Sequence, residues 1–170
     1  MKRFLFLLLL SCFAGSIMAQ TQEKEDNLKA VFIYNFTRYI DWDSTGTGNE
    51  FVIGIIGSSA VTGPLTEIAK TNTVQSKKIL IKHFSKPEEI TPCNILFISA
   101  HCPFPLPSIL SKTNKGTLTI SEETGFAEQG AAFNFVVIND KLKFEANVKS
   151  INAAGLRASS QLLKLAIIVN

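Results

Sequence analysis

The chain has 170 residues, 46% of them hydrophobic, with 17 Lys+Arg, 14 Asp+Glu and 3 Cys. Its length suits one domain; high apolar content at low net charge excludes a disordered chain, and so few cysteines exclude a disulfide-framework miniprotein. A formal charge of +3 lacks the basic footprint of a nucleic-acid binder.

The N-terminus carries an export pattern. Lys2 and Arg3 form a positive region, Phe4 to Leu10 is unbroken apolar sequence, and small or apolar residues continue to Ala19. Gln20 to Asp26 is then abruptly polar, so residues 1–19 read as a signal peptide cleaved before Gln20, leaving one domain over 20–170. Loss of Lys2 and Arg3 leaves 15 basic against 14 acidic residues. Ser11, Cys12, Gly15 and Ser16 interrupt the run of about 20 apolar residues that a membrane span needs. The alternative is a lipoprotein acylated at Cys12, since Leu9-Leu10-Ser11-Cys12 loosely fits a lipobox. A short apolar run before Cys12, and small or apolar residues after it, favour simple export to the periplasm. No later segment reads as a span.

Leu28, Val31, Phe32, Phe36, Tyr39 and Ile40 trace one face of a helix over 26–41. Residues 51–57 are an apolar strand closed by Gly57-Ser58-Ser59, followed by a helix over 60–70 whose true start is Pro64. Strands follow at 78–84, 94–99 and 117–121, with a capped turn over 85–90 and a short helix over 108–112. Phe126 to Gln129 reads as a single helical turn with Gly125 and Gly130 supplying left-handed conformations at its ends. Residues 133–138 and 141–146 form a hairpin about Asn139-Asp140. Phe144, Ala146 and Val148 should face the core, with Glu145 and Asn147 on the other side.

A second long helix is predicted over 149–168. Ile151, Ala158, Leu162, Leu165 and Val169 fall within about 40° of one line, the core-facing stripe. Leu156, Leu163 and Ile167 form a second line about 140° away. That line is covered either by another element of the domain or by self-association or a membrane partner. The whole reads as α/β: a single layered domain, largely parallel, with an antiparallel terminal hairpin and long N- and C-terminal helices.

Chemistry is sparse in this pattern. His83 sits in an alternating strand, and His101 beside Cys102 does not place two side chains for a nucleophile pair. Two histidines are too few for a zinc constellation, so no metal or cofactor is expected. Gly54-Ile-Ile-Gly57-Ser58-Ser59 lacks the residues of a phosphate loop and reads first as a turn and cap, with an anion at the helix start as the alternative. Glu122 and Glu123 are loop neighbours that point apart. Asn147 is either a helix cap or edge-strand donor, or one wall of a polar ligand or partner site with Arg157 and Ser159. Cys93 and Cys102 bracket a strand, which at about 3.3 Å per residue holds them beyond disulfide reach. No catalytic residue is assigned and an enzyme is not expected.

Four blocks carry a family resemblance: residues 28–42 (Leu-Lys-Ala-Val-Phe-Ile-Tyr-Asn-Phe-Thr-Arg-Tyr-Ile-Asp-Trp), 51–57, 93–99, and the stretch 117–166 with its Thr119-to-Gly130, Phe144-Glu-Ala-Asn147 and Gly155-to-Ala166 segments. Together they span nearly the whole mature chain, which resembles the YfiR family of small exported bacterial proteins. The resemblance implies an α/β domain that self-associates as a homodimer. It implies a periplasmic repressor that holds an inner-membrane diguanylate cyclase inactive and is relieved by a peptidoglycan-associated outer-membrane lipoprotein. Family disulfides are linked to stability and signalling, yet here Cys93 has no upstream partner and the later pair has no counterpart. The competing class is a small-molecule-binding periplasmic sensor serving a transport or two-component system.

Overall fold

A computed structural model describes residues 22–42 and 48–169. The expected signal peptide and Cys12 lie outside the described residues. Helix α1 covers residues 22–36, followed by β1 (Ile40–Asp41), β2 (Glu50–Ile56), α2 (Thr62–Thr71), β3 (Thr73–Val74) and β4 (Lys77–Phe84). A 3-10 turn at Pro87–Glu89 leads to β5 (Ile95–Ile98), α3 (Leu106–Leu110) and β6 (Leu118–Ser121). The hairpin is β7 (Phe133–Ile138) and β8 (Lys141–Asn147). Then come α4 (Val148–Ala153), β9 (Arg157–Ala158), α5 (Ser160–Leu163) and β10 (Ile167–Val169).

Eight strands form one sheet in the order β10-β8-β7-β6-β5-β2-β4-β3. Pairing is parallel from β4 through β2, β5 and β6 to β7, and again between β8 and β10. The β7–β8 hairpin and the β3–β4 edge are antiparallel. This is the expected α/β class with its largely parallel sheet. Strand β2 sits centrally and is apolar on both faces, as a strand covered on two sides must be. Phe51, Ile53 and Ile55 join a core under α1 and α2, while Val52 and Ile56 join a second core beneath α3. The hairpin turn has Asn139 and Asp140 at φ +51° and +57°, the left-handed pair that a two-residue turn requires.

Two helical expectations change. Helix α1 ends at residue 36, not 41, because the chain tightens: the N–H groups of Thr37, Arg38 and Tyr39 donate to carbonyls three residues back. Ile40 and Asp41 then pair antiparallel with Ala158 and Arg157. The buried face of α1 is Ala30, Ile33 and Phe36; Leu28, Val31 and Tyr39, placed in the core stripe by periodicity, are 43%, 45% and 39% exposed.

The long helix over 149–168 does not form. Gly155 takes φ +77° and ends α4, with the Leu156 N–H donating to the Ile151 carbonyl in a left-handed helix stop. Ser159 then caps α5, its Oγ accepting from the Leu162 N–H at 3.2 Å. The β-branched run Ile167-Ile168-Val169 extends alongside β8, with Ile168 opposite Ala146.

Candidate functional site at the sheet switch point

Strand order fixes where a crevice opens. From β2 the chain crosses through α2 to β4 on one side, and β5 returns to the opposite side of β2. The loops leaving the carboxyl ends of β2 and β5 therefore diverge, which is where open α/β sheets hold their ligands. Gly57, at φ +87°, turns the first loop away; a Cβ there would lie 3.0 Å from the Cα of Cys102. Ser59 accepts from the N–H of Val61 through Oγ and from that of Thr62 through its carbonyl, so Gly57-to-Ser59 acts as a turn. The cap expected of it is absent: Val61 is the N-cap of α2 and makes no side-chain cap bond.

Helix α1 lies over this end and closes a cleft of about 510 Å³, lined by Ser58 and Ser59, Ala100 and His101, Glu122, and the first turns of α1. At its centre is Lys29. Its ammonium contacts Glu122 Oε2 at 2.8 Å, Glu25 Oε1 at 2.9 Å and Asp26 Oδ1 at 3.9 Å. The Lys29 and Glu122 side chains are only 8% and 10% exposed. Burial pulls the Lys29 pKa down, but the hydrogen bonds that the ammonium donates to Glu122 and Glu25 outweigh it and hold the pKa above the usual lysine range. Burial pushes Asp26 above the carboxylate range, only partly opposed by the Gln22 amide and Lys29. The other Glu122 oxygen accepts the Ala100 N–H at 3.3 Å. The chain's own carboxylate thus occupies the backbone donor that an anionic ligand would use here.

The residues singled out from sequence scatter. Asn147 caps α4, accepting from the Ser150 N–H at 3.0 Å while its amide donates to the Ala127 carbonyl at 2.8 Å. Arg157 and Ser159 line a separate shallow cleft with Arg38, Tyr39 and Asp41; Asn147 is not among its lining residues. Leu156 is 1% exposed in the core, Leu163 packs half-buried against it, and Ile167 lies on β10. These three belong to separate segments and not to one helical line. Nearby, Leu165 and Ile168 are 73% and 46% exposed.

Cys93 and Cys102 are free thiols at opposite ends of β5. Burial pushes the Cys93 pKa up to about 11. Among the described residues no group of His, Cys, Asp and Glu is arranged to hold a metal ion, and no helix is long and apolar enough to cross a membrane.

Sequence reasoning missed the Lys29 cluster. The Glu25–Lys29 spacing of four was readable as a helical ion pair, but Glu122 comes from 93 positions away, beyond any local pattern.

An open, largely parallel α/β domain, with charge-paired side chains in its switch-point crevice, belongs to the class of binding and regulatory domains as readily as to enzymes. Its family is specific. Residues 26–167 match the model of the YfiR/HmsC-like family, and the chain belongs to that family. No curated protein matches the chain.

Proposed function

We propose that this protein is an exported periplasmic regulator that acts by protein–protein contact, holding an inner-membrane diguanylate cyclase inactive. Membership of the YfiR/HmsC-like family over residues 26–167 carries the reading. The crevice chemistry agrees with it. Lys29 is held as an ammonium ion by two carboxylates, so it has no free lone pair for attack or proton abstraction near neutral pH. Release by a peptidoglycan-associated outer-membrane lipoprotein belongs to the same proposal, as does self-association as a homodimer. Residues 1–19 act as the export signal in this reading, with no cofactor and no nucleic acid involved.

Deleting the gene in its native host and measuring cyclic di-GMP tests the proposal. The level should rise, and exported protein should restore it where a form starting at Gln20 and confined to the cytoplasm does not. An unchanged level, or rescue by the cytoplasmic form, contradicts it.

The 510 Å³ cleft favours a second reading, a small-molecule-binding periplasmic sensor serving a transport or two-component system. A ligand-dependent rise in melting temperature without recovery of a membrane partner would select that reading over the first.

A further inference from the structure

Beside its buried face, helix α1 presents one exposed apolar side chain, Val31, to the groove it forms with α2. Ala30, Ile33 and Phe36 sit in the core, whereas Val31 is 45% exposed and lines a groove of about 720 Å³ between α1 and α2. Ala60, Pro64 and Ile68 supply the rest of an apolar floor. The Tyr34 hydroxyl donates to the Thr73 carbonyl at 3.5 Å, tying α1 to the chain just beyond α2. The opposite end runs into the switch-point crevice, since Gln22, Asp26 and Ala60 line both spaces.

The charge around this floor has one sign. Glu23 and Glu67 stand on its exposed rim, Asp26 is buried at 6% exposed and faces the Lys29 ammonium at 3.9 Å, and no basic residue is among the described residues that line the groove. Lys70 neutralises part of the Glu67 charge at 2.7 Å, an exposed and screened pair. Lys29 turns away from the groove into its contacts with Glu25 and Glu122. An anionic lipid surface meets repulsion at such a rim. A protein segment with apolar side chains on one face and Lys or Arg beside them meets both an apolar floor and an opposite charge, the arrangement of a helix laid in a groove.

We propose that the α1–α2 groove is the docking site for an amphipathic, basic segment of a partner protein. Its apolar side chains pack on Val31, Pro64 and Ile68, and its cations face Glu23 and Glu67. The proposal rests on the reading of this protein as a regulator acting by contact, and supplies the surface for it. Cyclic di-GMP levels test that reading and groove binding tests this surface, so either can fail alone.

The test is fluorescence anisotropy of the mature protein with two labelled helical peptides, one of Leu and Lys and one of Leu and Glu. The Leu/Lys peptide should bind, and Val31→Asp should weaken it about tenfold or more at an unchanged melting temperature. Glu67→Lys should weaken it several-fold at low salt, and Lys112→Glu, away from the groove, should not. Four outcomes overturn the proposal: no binding, equal binding of both peptides, undiminished binding by Val31→Asp, or binding to phosphatidylglycerol vesicles that Val31→Asp abolishes. A change of oligomeric mass in Val31→Asp, with peptide binding intact, would assign the groove to a second copy and overturn it as well.

Discussion

Lys29 and Glu122 lie 93 positions apart in sequence and meet at 2.8 Å, with side chains 8% and 10% exposed. This contact ties α1 to the carboxyl end of the sheet. Removing one member of a buried pair leaves the other's charge unpaired, at a cost of about 3 kcal/mol. Lys29→Met should cost at least that much, because Glu25, Asp26 and Glu122 would face one another without a cation. The double variant Lys29→Met/Glu122→Gln should recover part of the loss. Urea unfolding of all four members of the cycle measures the coupling. A Lys29→Met variant within about 0.5 kcal/mol of wild type would show that the pair does not hold the helix.

How much of this was legible depends on the range of the contacts. Strands β2, β4, β5 and β6 and the hairpin could be read from apolar runs and turn residues, since burial on both faces leaves a local mark. The C-terminal helix failed on a competition. Leu162 and Leu163 fit a helical pattern, but Gly155 and Ser159 are stop and start signals, and Ile167-Ile168-Val169 is strand sequence. Periodicity across 149–168 averaged over those breaks. The α1 face failed for another reason: Lys29 and Asp26 are buried, so a purely apolar count pointed to Leu28 and Val31. Glu25 and Glu122 together hold the buried Lys29 ammonium, and local sequence contains only the first of them.

The same cluster sets a pH dependence. Asp26 has its pKa raised above 3.8 in the folded state, chiefly by burial. The stability it contributes is present below 3.8 and is lost as pH rises through the raised folded value. Asp26→Asn should therefore be more stable than wild type at pH 7, with the gain shrinking towards pH 3. Lys29 is raised above 10.5, so its contribution holds below that value and is lost as pH rises through the folded one. Melting temperatures across pH 3–11 check both signs. A gain from Asp26→Asn that grows on acidification contradicts the assignment.

The two thiols should behave differently. Cys93 is 3% exposed with its pKa pushed up to about 11, so thiolate is scarce at pH 8. Cys102 is partly exposed. Native protein beginning at Gln20 should react with a thiol reagent once per chain, and denatured, non-reduced protein twice. Cys102→Ser should abolish the native reaction. A denatured, non-reduced chain with no reactive thiol and monomeric mass would mean that the two cysteines are bridged.

The homodimer proposal turns on β10. This strand hydrogen-bonds β8 on one side and forms the edge of the sheet on the other. An uncovered edge is a template for pairing with a second chain, and a two-fold axis makes the contact self-complementary. Three residues extend only about 10 Å, too little backbone for a stable interface by itself. The apolar surface beside it, Leu165 and Ile168, must then supply most of the energy. Ile168→Lys and Leu165→Glu should each shift a dimer towards monomer in sedimentation, with melting changed by no more than a few degrees. Leu163→Glu is the contrasting variant. Its side chain packs half-buried against the core, so a charge there should cost about 2 kcal/mol or more and lower the melting temperature. If Leu163→Glu dissociates the dimer without loss of stability, the contact runs through Leu163 instead. If both surface variants stay dimeric, β10 is not the interface.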